Sequence, residues 1–225
     1  MSNPGGRAQA QRAAPDTFET ASPTPARLLF VRHGQSTWNG ERRIQGQLDP
    51  PLSKIGEEQA RCIAERLEGA QLVGFYTSDL QRCRDTAAPI AEKLARRPVT
   101  LRTLREVDLG RWEGKTREEL MREYPAEWER WTQEPSWDIV PGGEGSGPFE
   151  KRVRRVVNRL FDKHPSGDVL VVTHGGVIQV ALGMVAGRGS NGLFPFLIEN
   201  GSLTVLQRSG DRLLVTSVND ICHLS

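Results

Sequence analysis

Two of the chain's four histidines stand in the same local setting. His33 follows the apolar run Leu28-Leu29-Phe30-Val31 and Arg32, and Gly34 comes next. His174 follows Val169-Leu170-Val171-Val172 and Thr173, and Gly175 comes next. Apolar runs of this kind read as strands buried on both faces. In an open α/β sheet the loops at the carboxyl ends of strands form the ligand crevice, so two strand-end histidines can meet there across a long stretch of sequence. Arg32 beside one of them suits an anionic substrate, because a guanidinium fork matches phosphate and carboxylate oxygens. Neutral imidazole is a good nucleophile near pH 7, and its nitrogen can carry a phosphoryl group. Gly34 permits a tight turn and close approach of backbone to substrate. Gly175-Gly176 at a helix start offers backbone N–H groups to an anion. The pattern points to a histidine nucleophile acting on a phosphate.

The elements that must position these residues alternate between strand and helix. Arg27–Val31 reads as a buried strand. Leu52-Ser53-Lys54 opens a helix with Ile55, Gln59, Ile63 and Leu67 on one stripe. Leu72–Thr77 reads as a second strand, and Ser78 with Gln81 as a capping box. The helix that follows carries Leu80, Cys83, Ala87, Ile90, Ala91 and Leu94 on one face, and Val99-Thr100-Leu101 is a short strand. A long excursion, 105–147, holds two short helices near Arg117–Glu123 and Ala126–Thr132. Pro148 suits the first turn of a helix that buries Phe149, Val153, Val156, Val157 and Leu160 and turns Lys151, Arg152, Arg154, Arg155 and Arg159 to water. The strand Val169–Val172 and a helix over 176–186 follow, then antiparallel strands at Phe194–Ile198, Leu203–Gln207 and Leu213–Val218. This order predicts an α/β three-layer sandwich: a mainly parallel central sheet, helices on both faces, and a helical and loop excursion over the site.

Composition narrows the class. A chain of 225 residues with 37% hydrophobic content suits one domain with a real core. The formal net charge of +2 does not suggest a nucleic-acid binder. Cys62, Cys83 and Cys222 are far apart, odd in number and without metal-ligand spacing, which argues for a reducing, cytoplasmic setting. No apolar stretch is long enough to span a membrane. Residues 1–26 are rich in Pro, Gly, Ala, Ser and Thr and read as a disordered tail ahead of a 27–225 domain, with a transit-type targeting segment as the alternative. The glycine-rich stretch 141–147 lacks the Gly-Lys-Ser/Thr ending of a nucleotide-binding P-loop.

Arg82 lies in the first turn of its helix, where a cation opposes the helix dipole at a cost of roughly 0.3–1 kcal/mol. A bound anion would reverse that sign. Arg84 shares the region and reads as a solvated surface residue. Trp112, Trp128, Trp131 and Trp137 all lie in the excursion, where they either shape a pocket for the organic part of a substrate or pack the short helices.

The run Arg32-His33-Gly34-Gln35-Ser36-Thr37-Trp38-Asn39 resembles the signature of the histidine phosphatase superfamily, also called phosphoglycerate mutase-like. The resemblance covers most of 27–225. It takes in Gln45-Gly46, Asp49, Leu52-Ser53 with Gly56 and Ala60, Ser78-Asp79-Leu80, Arg82 with Thr86-Ala87, Glu106, Gly110, Trp112-Glu113-Gly114, Gly142-Gly143-Glu144 and Thr173-His174-Gly175. It implies a phosphohistidine mechanism with His33 as nucleophile, His174 and Gly175 in the phosphate pocket, and Arg32 and Arg82 clamping the phosphate oxygens. It implies that Asn39, Gln45 and Gly46 contact the phosphate or its surroundings. The segment from Arg105 to Gly114 resembles the phosphatase-type members, in which the glutamate at 106 donates the proton; Asp108 and Glu113 are weaker alternatives. Relatives often carry Ser after the Glu of the Gly-Gly-Glu run, where this chain has Gly145.

The expected activity is therefore metal-independent hydrolysis of small phosphate esters, with no cofactor, no nucleic acid or membrane partner, and a homodimer as an open option. A cofactor-dependent phosphoglycerate mutase is the first alternative, but that branch has a longer insertion after the glutamate than the short form here. A non-catalytic phospho-ligand binding module is the second, and it would be expected to lose at least one of His33, His174, Arg82 or Glu106.

Overall fold

Strand β1 (Ala26–Arg32) alternates its buried side chains between two cores. Leu29 and Val31 pack with Ile63, Ala64, Cys83, Ala87 and Ile90, whereas Leu28 and Phe30 pack with Val153, Val157, Val177 and Ile178. Each such side chain removed from water contributes about 1.5–3 kcal/mol, so the sheet is held from both faces, as its near-continuous apolar strands require. The structure, a computed structural model, describes residues 24–189, 192 and 195–225. The tail expectation for 1–23 lies outside them. Ala26, placed in the tail by sequence, is the first residue of β1, buried and paired with Gly167.

The other strands are β2 (Leu72–Thr77), β3 (Val99–Thr100), β4 (Gly167–Thr173), β5 (Leu203–Ser209) and β6 (Arg212–Asp220). They form one sheet in the order β3-β2-β4-β1-β5-β6. The first four of these strands in space run parallel, and β5 and β6 are antiparallel. The helices are α1 (Thr37–Gly40), α2 (Lys54–Arg66), α3 (Gln81–Lys93), α4 (Arg117–Glu123), α5 (Pro125–Gln133), α6 (Ser146–Lys163) and α7 (Gly175–Ala186). Helices α2 and α3 cover one face, and α6 and α7 cover the other. The expected three-layer sandwich is present, and the excursion carries α4 and α5 as expected.

Four local expectations fail, each for a tertiary reason. The buried stripe of α2 is Gly56, Ala60, Ile63 and Ala64, while Ile55 is 57% exposed. The helix is rotated because Gly56 lies against the loop after β1: a Cβ there would stand 2.0 Å from the Gln35 carbonyl oxygen. The capping box at Ser78 does not form. Leu80 is the N-cap residue of α3 without a side-chain bond, and both Asp49 carboxylate oxygens accept from the Gln81 N–H, at 2.8 and 2.7 Å. No strand forms over 196–198, and Phe194 lies outside the described residues. There the Gln179 amide pairs with both the N–H and the carbonyl of Phe196, and Arg32 takes the Ile198 carbonyl, so side chains occupy what a ladder would use. Finally, Arg152 does not face water but reaches under the excursion, as described below.

Candidate active site

Because β4 lies directly beside β1, with Arg32 opposite Thr173, the two strand ends deliver their histidines to one place. The His33 N–H donates to the Thr173 carbonyl at 2.9 Å, and the two imidazoles meet edge to face with centroids 5.2 Å apart. Both rings are buried. His33 Nδ1 lies 2.7 Å from the Gly34 carbonyl oxygen. A carbonyl can only accept, so Nδ1 carries the proton and Nε2 keeps its lone pair. Burial first, then the charges of Arg82 and Arg32, push His33 well below the usual histidine range, so the ring is neutral. His174 is pushed down in the same way, by burial and then by Arg82, His33 and Arg32. Its Nε2 lies 2.9 Å from Ser78 Oγ and 3.4 Å from Cys83 Sγ. Burial pushes the Cys83 thiol up, so it stays protonated.

Gly34 has to be glycine for a packing reason. A Cβ there would stand 2.4 Å from the Gly56 carbonyl oxygen, and its N–H donates to Thr86 Oγ1 at 3.0 Å. The loop that carries His33 is thus wedged between α2 and α3.

Arg82 is completely buried. Its Nη1 and Nη2 donate to the carbonyls of Leu48 and Gly46 at 2.7 and 2.8 Å, and the Asp49 carboxylate is 3.6 Å away. Arg32 donates to the Ile198 carbonyl. The Nε–H groups of both arginines are buried and meet no acceptor among the described residues. A buried guanidinium group and a half-buried one, each with an unmet Nε–H, stand beside a neutral imidazole and make a strong anion site. Gly46 places its carbonyl on Arg82 with a backbone φ of +53°. Arg84, as expected, is exposed.

Asn39 Oδ1 accepts from the Ser36 N–H at 3.0 Å and from Asn200 Nδ2 at 3.3 Å, which turns its NH₂ the other way. Gln45 Oε1 lies 2.9 Å from the Ser36 hydroxyl. Asn39, Gln45, Gly46 and Gly175 all line the same cavity as Arg32, His33, Arg82 and Glu106.

Glu106 accepts from the Val107 N–H at 3.0 Å and from the Gly176 N–H at 3.0 Å. Gly176 is close enough that a Cβ would stand 2.2 Å from Glu106 Oε1. The two alternative acids are employed elsewhere. Glu113 binds the backbone N–H groups of Gln47, Leu48 and Leu109, and Asp108 caps Gly110. Among the described residues, Glu106 is the carboxyl group that faces the cavity.

Arg152 was missed as part of this site. From α6 its guanidinium donates to the carbonyls of Thr103, Arg105 and Glu106 at 3.1, 2.7 and 2.9 Å, and it is ion-paired with Glu144. Glu144 in turn accepts from the Asp108 N–H at 2.9 Å. The pair grips the backbone on both sides of Glu106. The available signal was position: Arg152 borders the apolar stripe of Phe149, Val153 and Val156 rather than lying opposite it. Asn200, which also donates to the His33 carbonyl at 3.0 Å, gave no sequence signal.

The cavity is about 760 Å³, ample for a ligand beyond a phosphoryl group. Trp112, Trp128, Trp131 and Trp137 line it and also pack on one another in tilted and edge-to-face pairs, with centroids 4.9–6.0 Å apart. Packing and pocket-shaping are the same act here. Among the described residues no group of three or more His, Cys, Asp or Glu side chains could hold a metal ion, and no helix is long and apolar enough to cross a membrane.

Several proteins similar to this chain are named as phosphatases. Phosphoserine phosphatase 1 of Hydrogenobacter thermophilus is 32% identical over 198 residues, covering 88% of this chain and 94% of that protein. A metal-independent phosphoserine phosphatase of Arabidopsis thaliana is 31% identical over 201 residues, covering 88% and 83%. Among solved structures, Bacillus stearothermophilus YhfR superposes with a TM-score of 0.81 at 31% identity, covering 89% of this chain and 100% of that one. The sequence pattern of the histidine phosphatase superfamily, branch 1, matches residues 28–221. That match spans nearly all of the sheet and its helices, and the chain belongs to the histidine phosphatase superfamily.

Proposed function

We propose that the protein is a phosphoric monoester hydrolase that works through a phosphohistidine at His33 and uses arginine charge in place of a metal. One observation carries this reading: a neutral imidazole with its Nδ1 proton committed to Gly34 stands beside two arginines whose buried Nε–H groups are unmet.

In this reading Arg32, Arg82, Asn39, Gln45 and His174 hold the phosphoryl oxygens, with backbone N–H groups at Gly175. His33 Nε2 attacks phosphorus, and the bond from phosphorus to the alcohol oxygen breaks. Glu106 passes its proton to that oxygen, since an alkoxide leaves poorly; such help is worth about 10²–10⁴ in rate. Water then attacks the phosphohistidine, Glu106 takes the water proton, and the N–P bond breaks to release inorganic phosphate. Names of the relatives support the hydrolase reading over the mutase one, and so does the short segment after Glu106.

The test is to trap acid-labile phosphate on the protein by rapid quench, in the presence of a chelator. The parent enzyme should label at His33 and release inorganic phosphate, and His33→Ala should do neither while keeping its fold. More than a few per cent residual turnover in His33→Ala would overturn the assignment.

A further inference from the structure

The phosphate end of the cavity accounts for only part of it. The remainder is walled by the tryptophan cluster together with Leu109 and Ile198. Resting on the hydrolase reading above, we infer that the alcohol half of the substrate is apolar and planar: the preferred substrates are phosphate monoesters of aryl-bearing alcohols, not of small charged or hydroxyl-rich ones.

Most polar groups on this wall are already committed. Arg43 lines the cavity, but its Nη1 is bound to Glu119 and to the Gly114 carbonyl, each at 2.8 Å, and its Nε to Glu41 at 3.1 Å. A substrate carboxylate would have to compete with two acids already there. Gln179 spends its amide on the backbone of Phe196. Glu106 is the acid on the cavity surface, and its oxygens hold Val107 and Gly176. An amino-acid ammonium, a second carboxylate or a set of sugar hydroxyls entering this space would lose water and find few free partners among the described residues.

An aryl group meets the opposite conditions. Trp131 meets Trp112 edge to face at 5.4 Å and Trp137 at a tilt at 4.9 Å, which fixes the ring in place before any ligand arrives. Rings held in this way offer edges and faces to a planar ligand at little entropic cost. One donor on the wall is unmet: Trp112 Nε1 is buried with no acceptor among the described residues, so the alcohol half can carry a single acceptor oxygen without loss.

The experiment compares primary alkyl phosphates, so that leaving-group chemistry is similar throughout: 2-phenylethyl phosphate and 2-naphthylmethyl phosphate against O-phosphoserine, glycerol 3-phosphate and ethyl phosphate. The aryl-bearing esters should exceed phosphoserine and glycerol 3-phosphate in kcat/KM by about 10² or more, the scale on which pocket contacts discriminate. In Trp131→Ala the ratio of kcat/KM for 2-phenylethyl to ethyl phosphate should fall at least about tenfold, largely through KM, and Trp131→Phe should restore most of it. Independently of any variant's folding, 2-phenylethylphosphonate should compete against the parent enzyme at least tenfold more tightly than methylphosphonate. Equal kcat/KM across the series, or equal inhibition by the two phosphonates, overturns the inference and leaves the hydrolase reading standing. Absence of phosphoenzyme with every ester overturns the hydrolase reading itself.

Discussion

Replacing Gly176 by alanine isolates the role of Glu106 without touching it. Gly176 sits in the first turn of α7 with helical backbone, so alanine is conformationally welcome and gains roughly 0.5–1 kcal/mol of helix propensity. The main objection comes from Glu106, with Phe149 Cζ a milder contact at 3.3 Å. The new Cβ would stand 2.2 Å from Glu106 Oε1, and ordinary contact begins near 3.4 Å. The carboxyl group must therefore retreat by about 1.2 Å and loosen its bond from the Gly176 N–H. A displacement of about 1 Å at a reacting group costs on the order of 10² in rate. Phosphoenzyme formation from an alkyl phosphate, followed by rapid quench, should slow by about that factor in Gly176→Ala. From p-nitrophenyl phosphate, whose leaving group needs little protonation, it should slow far less, and Glu106→Gln should show the same contrast more strongly. The melting temperature should stay near that of the parent. Equal losses on the two substrates would refute the assignment of Glu106 as the acid, and an unchanged alkyl rate would refute the steric argument.

Two further outcomes follow from the same geometry. Arg152→Lys cannot span the carbonyls of Thr103, Arg105 and Glu106 while pairing with Glu144. It should lower kcat for alkyl phosphates by about 10–10², with a smaller effect on phosphoenzyme formation from p-nitrophenyl phosphate; a loss confined to stability would make the clamp merely structural. The histidines should also shape stability against pH. His33 and His174 are held neutral in the fold, below the usual value of about 6.5 that they regain on unfolding. Below pH 6.5 the unfolded chain takes up protons that the native state refuses, so stability falls with pH there and is fully present above. Each histidine contributes a slope of up to about 1.4 kcal/mol per pH unit. Urea unfolding between pH 6.5 and 5.5 should show a shallower slope in His33→Asn, and an unchanged slope would show that His33 is not held neutral.

The strands and the meeting of the two histidines were legible because a strand buried on both faces must be apolar throughout, and the loop after it must lie at the sheet's carboxyl edge. Arg82 was legible as a cation in an awkward place, and the structure shows it partly offset by Asp49 at 3.6 Å. What escaped the sequence were bonds between segments far apart in it. Asp49 caps α3 from 32 positions away, so Ser78 was free to serve His174 instead. Gly56 turns α2 by its approach to Gln35. Gln179 and Arg32 hold 196–198 in place of a strand. Arg152 looked like one basic residue among many on α6, and only the path of the excursion beneath it makes it a clamp. Periodicity reports which face is apolar; it does not report which distant carbonyl a side chain will reach.

The position of β4 has a consequence for how the molecule comes into being. It is the fourth strand in the chain, yet it lies between β1 and β2. As synthesis proceeds, β1 and β2 emerge first and cannot be neighbours in the finished sheet. They must leave a strand-wide gap, with edges Leu28–Val31 and Leu72–Thr77 unpaired, until 167–173 arrives. Such non-local closure is slow, and open apolar edges invite association with other chains. The same closing step carries His174 to His33. Hydrolytic activity during refolding is therefore a clock for the insertion of β4: it should rise only when that strand closes the gap, after helical signal has already been gained.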